Sequence, residues 1–192
     1  MQEWMADVAY KFRIAFIDGD RWKLYLQGLG VTIQIAVFAA ILGVVIGTVI
    51  ALMKMSTTRT GKRTIFSYLA QAYIDIIRGT PSVLQLLIMW FIVMSSSKNG
   101  VLVAVLTFGI NSGAYVSEIM RAGIQAVDHG QMEAGRAVGL SFGTSMTKIV
   151  IPQAVKNILP TLGNEFISLV KETSVVSFVG AADLYVAFNY IG

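Results

Sequence analysis

The chain has 192 residues, of which 55% are hydrophobic and 14% charged, with a net charge of +4. Soluble domains of this length carry about 25% charged residues, so the composition predicts a membrane protein that contacts the lipid bilayer. Zero cysteines and one histidine exclude disulfides, thiolate metal sites and multi-histidine metal clusters. The basic residues lie in loops beside apolar segments, which excludes a nucleic-acid-binding stripe.

The first predicted transmembrane segment is residues 24–53, which contain no charged residue. About 20 apolar residues are enough to cross the roughly 30 Å hydrocarbon core of a bilayer. Four basic residues follow directly: Lys54, Arg59, Lys62 and Arg63. Because basic loops favour the cytoplasmic side, this cluster predicts a cytoplasmic end for the segment and an N-terminus outside.

Residues 64–78 mix polar and apolar positions, which is typical of an interfacial or partly buried helix near the cytoplasmic side. Asp75 and Arg78 are three residues apart in this segment, a spacing that allows a local ion pair on a helix. Pro81 then follows a Gly-Thr pair and restarts the helix, since proline is tolerated in a first turn. Residues 79–97 are free of charge and form the second predicted span.

Two further spans and one long loop complete the prediction. After a polar turn at residues 95–100, the third span covers residues 101–127 and returns inward. Residues 128–156 form a cytoplasmic loop that carries several basic residues, and residues 157–170 form a less regular fourth span. Residues 175–192 are apolar but contain a Gly-Ala-Ala-Asp stretch typical of a turn or re-entrant segment. The predicted fold class is an all-α, polytopic membrane helical bundle with four clear spans.

Mostly polar residues recur on the third predicted span at intervals that place them on one helix face. This set comprises Thr107, Asn111, Tyr115, Glu118, Ala122 and Gln125, with Ser112 beside it. A similar set on the fourth predicted span comprises Thr161, Asn164, Glu165, Ser168, Lys171 and Glu172. Two facing sets of polar side chains could line a path through the membrane.

The carboxylates of Glu118 and Glu165 have two interpretations. An ionisable group in hydrocarbon costs several kcal/mol unless it is paired or hydrated, so both side chains should turn inward, toward a path. Alternatively, Glu118 pairs with Arg121 on the same helix, and Glu165 stabilises helix packing through Lys171 or Asn164. The predicted substrate path comprises Asn111, Ser112, Tyr115, Glu118, Asn164, Glu165 and Ser168.

The loop at residues 128–156 contains a spaced series of small and apolar residues. The series is Glu133, Ala134, Gly135, Gly139, Ile149, Ile151 and Pro152. It resembles the Glu-Ala-Ala loop of ABC-importer permeases. In that loop the Glu-Ala-Ala triplet is followed by three residues and a glycine, and then by nine residues and an Ile-X-Leu-Pro sequence. This chain departs from that pattern at two positions: Gly135 stands where the family has alanine, and Ile151 stands where the family has leucine.

Other stretches resemble the polar amino acid branch of these permeases, of the histidine, glutamine and arginine type. They are Tyr25-Leu26-Gln27-Gly28 with Thr32, Arg78-Gly79-Thr80-Pro81, Ser112-Gly113-Ala114-Tyr115 with Glu118 and Arg121, Gly130-Gln131-Met132-Glu133-Ala134, and Lys171-Glu172-Thr173-Ser174. The resemblance implies about five transmembrane helices and a cytosolic coupling helix. It also implies a bacterial inner-membrane location.

The resemblance further implies a set of partners. These are two ATPase subunits, a second permease subunit that is identical or related, and an extracytoplasmic substrate-binding protein that delivers a polar or cationic amino acid. The ATPase-coupling residues would be Glu133, Ala134, Gly135, Gly139, Ile149 and Pro152. The sequence lacks a Walker motif, so ATP and Mg²⁺ would be bound by the partner ATPase, and this chain would hold no cofactor or metal of its own and catalyse no reaction.

The leading functional hypothesis is the permease subunit of an ATP-driven amino acid importer. The alternative is a self-contained secondary amino acid transporter or channel, but the inverted halves typical of such proteins are not visible in the sequence. A purely structural membrane adaptor is a further alternative. It would leave the two polar sets unexplained.

Overall fold

The computed structural model describes residues 1–56 and 62–189, and its regular structure is helical. The α-helices are α1 (Gln2–Phe12), α2 (Trp22–Met55), α3 (Ile65–Gly79), α4 (Ser82–Ile88), α5 (Gly100–Gln125), α6 (His129–Ala137), α7 (Phe142–Ser145), α8 (Ile151–Glu172) and α9 (Leu184–Asn189). Short π-helical turns extend α1, α4 and α7, and a 3-10 helix follows α8. The predicted all-α fold class is confirmed, and Arg59 of the basic cluster lies outside the described residues.

The helices α2 and α5 form the central pair of the bundle and approach closely through small residues. A Cβ atom added to Gly43 would lie 2.8 Å from Ser112 Oγ, and one added to Gly47 would lie 2.6 Å from Val116 Cβ. On the other side of the contact, a Cβ atom at Gly109 would meet the Leu42 side chain. Membrane helices associate largely by such close packing, because lipid supplies no hydrophobic force between them.

Among the described residues, α2 and α5 are each long and apolar enough to cross a membrane. A third candidate is α3 together with α4 and the π-helical turn Met89–Val93, which meet at a bend of 101°. The segment Ser82–Val93 alone would be about 18 Å long, which is shorter than the hydrocarbon core. The bend follows from Pro81, whose extended backbone (φ −60°, ψ 137°) interrupts the helix.

The helix α8 begins at Ile151, inside the predicted cytoplasmic loop, and runs past the predicted end of the fourth span to Glu172. It packs along α5, where Ile158 is so close to Gly123 that a Cβ atom there would overlap it. Because α8 carries uncharged polar residues as well as charges, it is not among the helices apolar enough to span by composition. The predicted span at residues 157–170 therefore remains a prediction.

The segment after α8 folds back against the start of α2. The 3-10 helix Thr173–Val179 ends at Gly180, whose φ of +71° is readily adopted only by glycine. The Thr32 hydroxyl of α2 accepts a hydrogen bond from the Leu184 amide at 3.3 Å. The chain therefore turns at Gly180, within the Gly-Ala-Ala-Asp stretch, while a re-entrant position in the membrane stays a prediction.

Candidate functional site

The helix α6 is a short, well-capped element within the predicted coupling loop. Asp128 caps its N-terminus by accepting a hydrogen bond from the Gly130 amide at 2.6 Å. At the other end, the Gly139 amide donates to the Arg136 carbonyl, and the Leu140 amide donates to the Gly135 carbonyl, both at 3.1 Å. These two bonds form a Schellman motif, which requires the left-handed conformation that Gly139 adopts at φ +88°.

Gly135 and Ile149 hold α6 against the helical segment that leads into α8. A Cβ atom on Gly135 would lie 2.7 Å from Ser145 Oγ and 2.9 Å from Ile149 Cδ1. The glycine at this position therefore allows a closer approach than alanine would. This packing gives a physical reason for the departure from the family pattern at Gly135.

The outer surface of α6 and the following turn is exposed and partly apolar. The exposed coupling residues are Glu133, Ala134, Gly139 and Pro152. Beside them, Val138 is 77% exposed and Phe142 is 60% exposed. The predicted coupling residues thus divide into an inner pair, which fixes the position of α6, and an outer group, which is free to contact another protein.

Two side chains of α5, one turn apart, each contact a charged side chain from another helix. Ser112, which is fully buried on α5, donates a hydrogen bond to the half-buried Glu165 carboxylate of α8 at 2.8 Å. One turn further along α5, the Tyr115 ring lies beneath the Arg78 guanidinium, 4.9 Å from its centroid. We call these four residues, Arg78, Ser112, Tyr115 and Glu165, the charge site.

The partners of Glu165 and Arg78 differ from those that sequence spacing suggests. Asp75 accepts a hydrogen bond from Gln71 at 2.7 Å, and no Asp75–Arg78 ion pair occurs among the described residues. The predicted local pair is therefore wrong. Arg78 instead contacts Tyr115 of α5, one of the predicted path residues, whereas spacing alone gave Arg78 an architectural role.

Asn111 is held in a buried network at the bend between α3 and α4. Its side-chain amide donates to Gln85 Oε1 at 3.1 Å, and the Gln85 amide donates to Thr80 Oγ1 at 2.7 Å and to the Ile77 carbonyl at 2.8 Å. These bonds satisfy backbone and side-chain groups that Pro81 leaves without helical partners. Sequence reasoning missed Gln85, because it lies 26 positions from Asn111.

Glu118 is bound by two cations and lies one turn beyond Tyr115 along α5. Its carboxylate accepts hydrogen bonds from Arg121, with the Nη2 contact at 2.8 Å, and forms an ion pair with Lys54 at the C-terminal end of α2. The predicted pair of Glu118 and Arg121 is formed. Lys54, which sequence reasoning missed as a partner, ties the end of α2 to α5.

An exposed side of α8 carries uncharged polar groups. The exposed polar residues in this row are Asn157, Thr161, Asn164 and Ser168. The hydrogen-bond partner of Glu165 is Ser112, rather than Asn164 or Lys171. Polar side chains on a membrane-embedded helix ordinarily face protein or a water-filled cavity rather than lipid.

Known proteins resemble this chain over most of its length. The family model described as "Binding-protein-dependent transport system inner membrane component" matches residues 43–189. The arginine transport system permease protein ArtQ of Bacillus subtilis is 43% identical over 162 residues, which cover 83% of this chain and 72% of that protein. The L-cystine transport system permease protein TcyB of the same organism is 35% identical over 173 residues, 89% of this chain and 72% of that protein.

Solved structures share the fold. One, described as an amino acid ABC transporter with histidines, has a TM-score of 0.77 and 45% identity, and the match covers 85% of this chain and 75% of that chain. The MetNI methionine ABC transporter in an inward-facing conformation has a TM-score of 0.76 with 18% identity, over 91% of this chain and 89% of that chain. At that identity, the second likeness shows the fold alone.

The helical bundle, its capped loop helix and these matches define a permease subunit of an ABC transporter. Such a subunit is a multi-pass membrane protein and is not itself the ATPase. This chain belongs to the family of binding-protein-dependent transport system inner membrane components. Family membership implies an ATPase and a substrate-binding protein as partners, and it confirms the leading hypothesis drawn from the sequence.

Proposed function

We propose that this chain forms one half of the translocation path of an importer for polar, preferentially cationic, amino acids. The observation that carries the proposal is the charge site, where a carboxylate and a guanidinium from two different helices contact side chains one turn apart on α5. An amino acid carries both charges, so such a site offers a complement to each end. Relatives named for arginine, glutamine and L-cystine transport support a polar amino acid as substrate.

The roles within the charge site follow from its chemistry. Arg78 is exposed and can donate to a carboxylate through its planar fork of N–H groups. Glu165 can accept from an ammonium or guanidinium group, while Ser112 fixes the orientation of the carboxylate. Glu118 is already neutralised by two cations, so the preference for a cationic substrate rests on Glu165.

The exposed polar row on α8 supports a path shared by two permease subunits. Lipid would leave the amides and hydroxyls of this row without partners, at a cost of several kcal/mol for each unsatisfied group. A second copy, or a related permease, facing this row would enclose a polar passage. The predicted path residues Asn164 and Ser168 belong to the row, and Glu165 lies on its inner edge.

Energy for transport would come from two ATPase subunits that bind ATP and Mg²⁺ and contact the exposed surface of α6. Val138 and Phe142 supply apolar contact area on this surface, and Glu133 supplies a charge. A cytoplasmic α6 and an N-terminus outside follow from the positive-inside rule applied to the basic loops. Membership of a family of inner membrane components supports a bacterial inner-membrane location. An extracytoplasmic binding protein would deliver the amino acid on the opposite side.

The test is reconstitution of the permease with its partner ATPase and substrate-binding protein. Uptake of labelled arginine into proteoliposomes should require three things: ATP in the vesicle lumen, the binding protein outside the vesicle, and the intact charge site. Uptake that runs on an ion gradient without ATP would instead indicate a self-contained secondary transporter. Uptake that ignores the charge site while remaining ATP-dependent would refute the assigned substrate path but retain the importer.

A further inference from the structure

The N-terminal helix α1 has two chemically different faces. At about 100° per residue, positions 1, 4, 5, 8 and 12 fall on one side of a helix. These positions hold the large apolar residues Met1, Trp4, Met5, Val8 and Phe12. The other side carries Glu3, Asp7 and Tyr10, and Asp7 forms an ion pair with Lys11 at 2.8 Å along one flank.

The apolar face of α1 is uncovered by the rest of the described chain. Trp4 is 68% exposed, and every side chain of this helix from Glu3 to Phe12 is exposed. A contiguous apolar face of this kind is unstable in water and marks a surface that contacts protein or membrane. The feature therefore requires an occupant.

The connection between α1 and α2 places this face at the membrane boundary. Gly19 and Asp20 both adopt positive φ, +68° and +57°, so the chain turns before α2 begins and α1 does not extend the spanning helix. The Arg21 guanidinium donates to the Ile14 carbonyl at 2.9 Å and fixes the turn. The Phe16 ring stacks on Tyr25, in the first turns of α2, with centroids 5.0 Å apart.

The occupant that fits this face is the lipid bilayer. Lys23 is the last charged residue before the uncharged run at residues 24–53. The hydrocarbon core of the bilayer therefore begins within the first turn of α2, directly beside the end of α1. Exposed Leu26, Leu29 and Ile33 continue an apolar surface down α2 from this level. Tryptophan at the edge of an apolar helix face is typical of the membrane interface.

We infer that α1 lies in the plane of the membrane interface at the N-terminal end of α2. Trp4, Met5 and Val8 face the lipid acyl chains, and Glu3 and Tyr10 face water. A helix held in this way anchors the first turns of α2 at a fixed depth in the bilayer. The inference depends on the membrane location of the permease and not on its substrate.

The test uses tryptophan as a depth probe in the full-length permease, assembled with its partners in phosphatidylcholine vesicles, and the signal of the same complex with a tryptophan-free permease is subtracted. In a background with Trp4, Trp22 and Trp90 changed to phenylalanine, Val8→Trp places one probe on the apolar face. The matched control Tyr10→Trp places it roughly 200° around the same helix. Tyr10 is 65% exposed and Trp4 is 68% exposed. A difference in quenching between these two positions would therefore not come from burial in the protein.

Brominated phosphatidylcholine should quench Val8→Trp several-fold more strongly than Tyr10→Trp, and aqueous iodide should show the reverse order. A variant that retains only native Trp4 should behave like Val8→Trp, which guards against a local effect of the new side chain. Equal lipid quenching at both positions would overturn the inference. Weak quenching of Val8→Trp by both lipid and iodide would overturn it in favour of a protein partner on this face.

Discussion

Replacing Glu165 with glutamine tests whether the carboxylate of the charge site recognises a cationic amino acid. Glutamine keeps the size of the side chain and can still accept the 2.8 Å hydrogen bond from Ser112, so helix packing should change little. The charge, however, is lost. A hydrogen bond to a charged group contributes about 1.5–3 kcal/mol, roughly twice the contribution of a neutral one. The difference of about 1.4 kcal/mol predicts a roughly tenfold weaker uptake of arginine.

The assay is competition uptake in proteoliposomes that contain the partner ATPase and binding protein, with arginine and glutamine compared in each variant. Glutamine carries no side-chain charge, so its uptake should fall much less than that of arginine. Equal losses for both substrates, or no loss for arginine, would show that Glu165 acts in packing or gating. The matched control is Glu118→Gln, which breaks ion pairs to Lys54 and Arg121 and should affect both substrates alike.

Three further predictions concern coupling, packing and topology. Gly139→Val should reduce copurification of the ATPase without preventing membrane insertion, because a side chain at φ +88° costs about 1–3 kcal/mol and distorts the end of α6. Gly47→Ala should lower the thermal unfolding temperature of the purified permease, since its Cβ atom would overlap α5 at a cost of about 1–3 kcal/mol. A membrane-impermeant thiol reagent applied from outside should label Ser96→Cys and not Ser141→Cys, because basic loops favour the cytoplasm.

Each of these predictions has a control in the same chain. Gly143 has open space around its Cβ position and no positive φ, so Gly143→Val should leave ATPase copurification near the wild-type level. Gly30 on α2 likewise has open space, and Gly30→Ala should not destabilise the permease. Equal effects of the paired substitutions would contradict the packing arguments. Ser96 and Ser141 are both exposed, so reversed labelling would overturn the orientation rather than report burial.

Features that depend on residues close together along the chain could be predicted from the sequence. The uncharged run before Lys54 predicts a spanning helix because chain length and apolar content alone decide whether a segment can cross lipid. The pair of Glu118 and Arg121 follows from a spacing of three on one helix, and it is formed. The all-α membrane fold predicted from the sequence is confirmed, and so is the ABC permease family, which was predicted from the resemblance of several motifs to known permeases. The limits of the fourth span and the roles of the site residues stay predictions.

Contacts between helices were decided only by the tertiary structure. Ser112 and Glu165 are 53 positions apart, and Lys54 and Glu118 are 64 apart. Helical periodicity shows which residues share a face but leaves open which face of another helix meets them. Here the glycines of α2 set how closely α5 approaches. The bend at Pro81 turns α3 so that Arg78 lies over Tyr115, which no spacing along the chain could indicate.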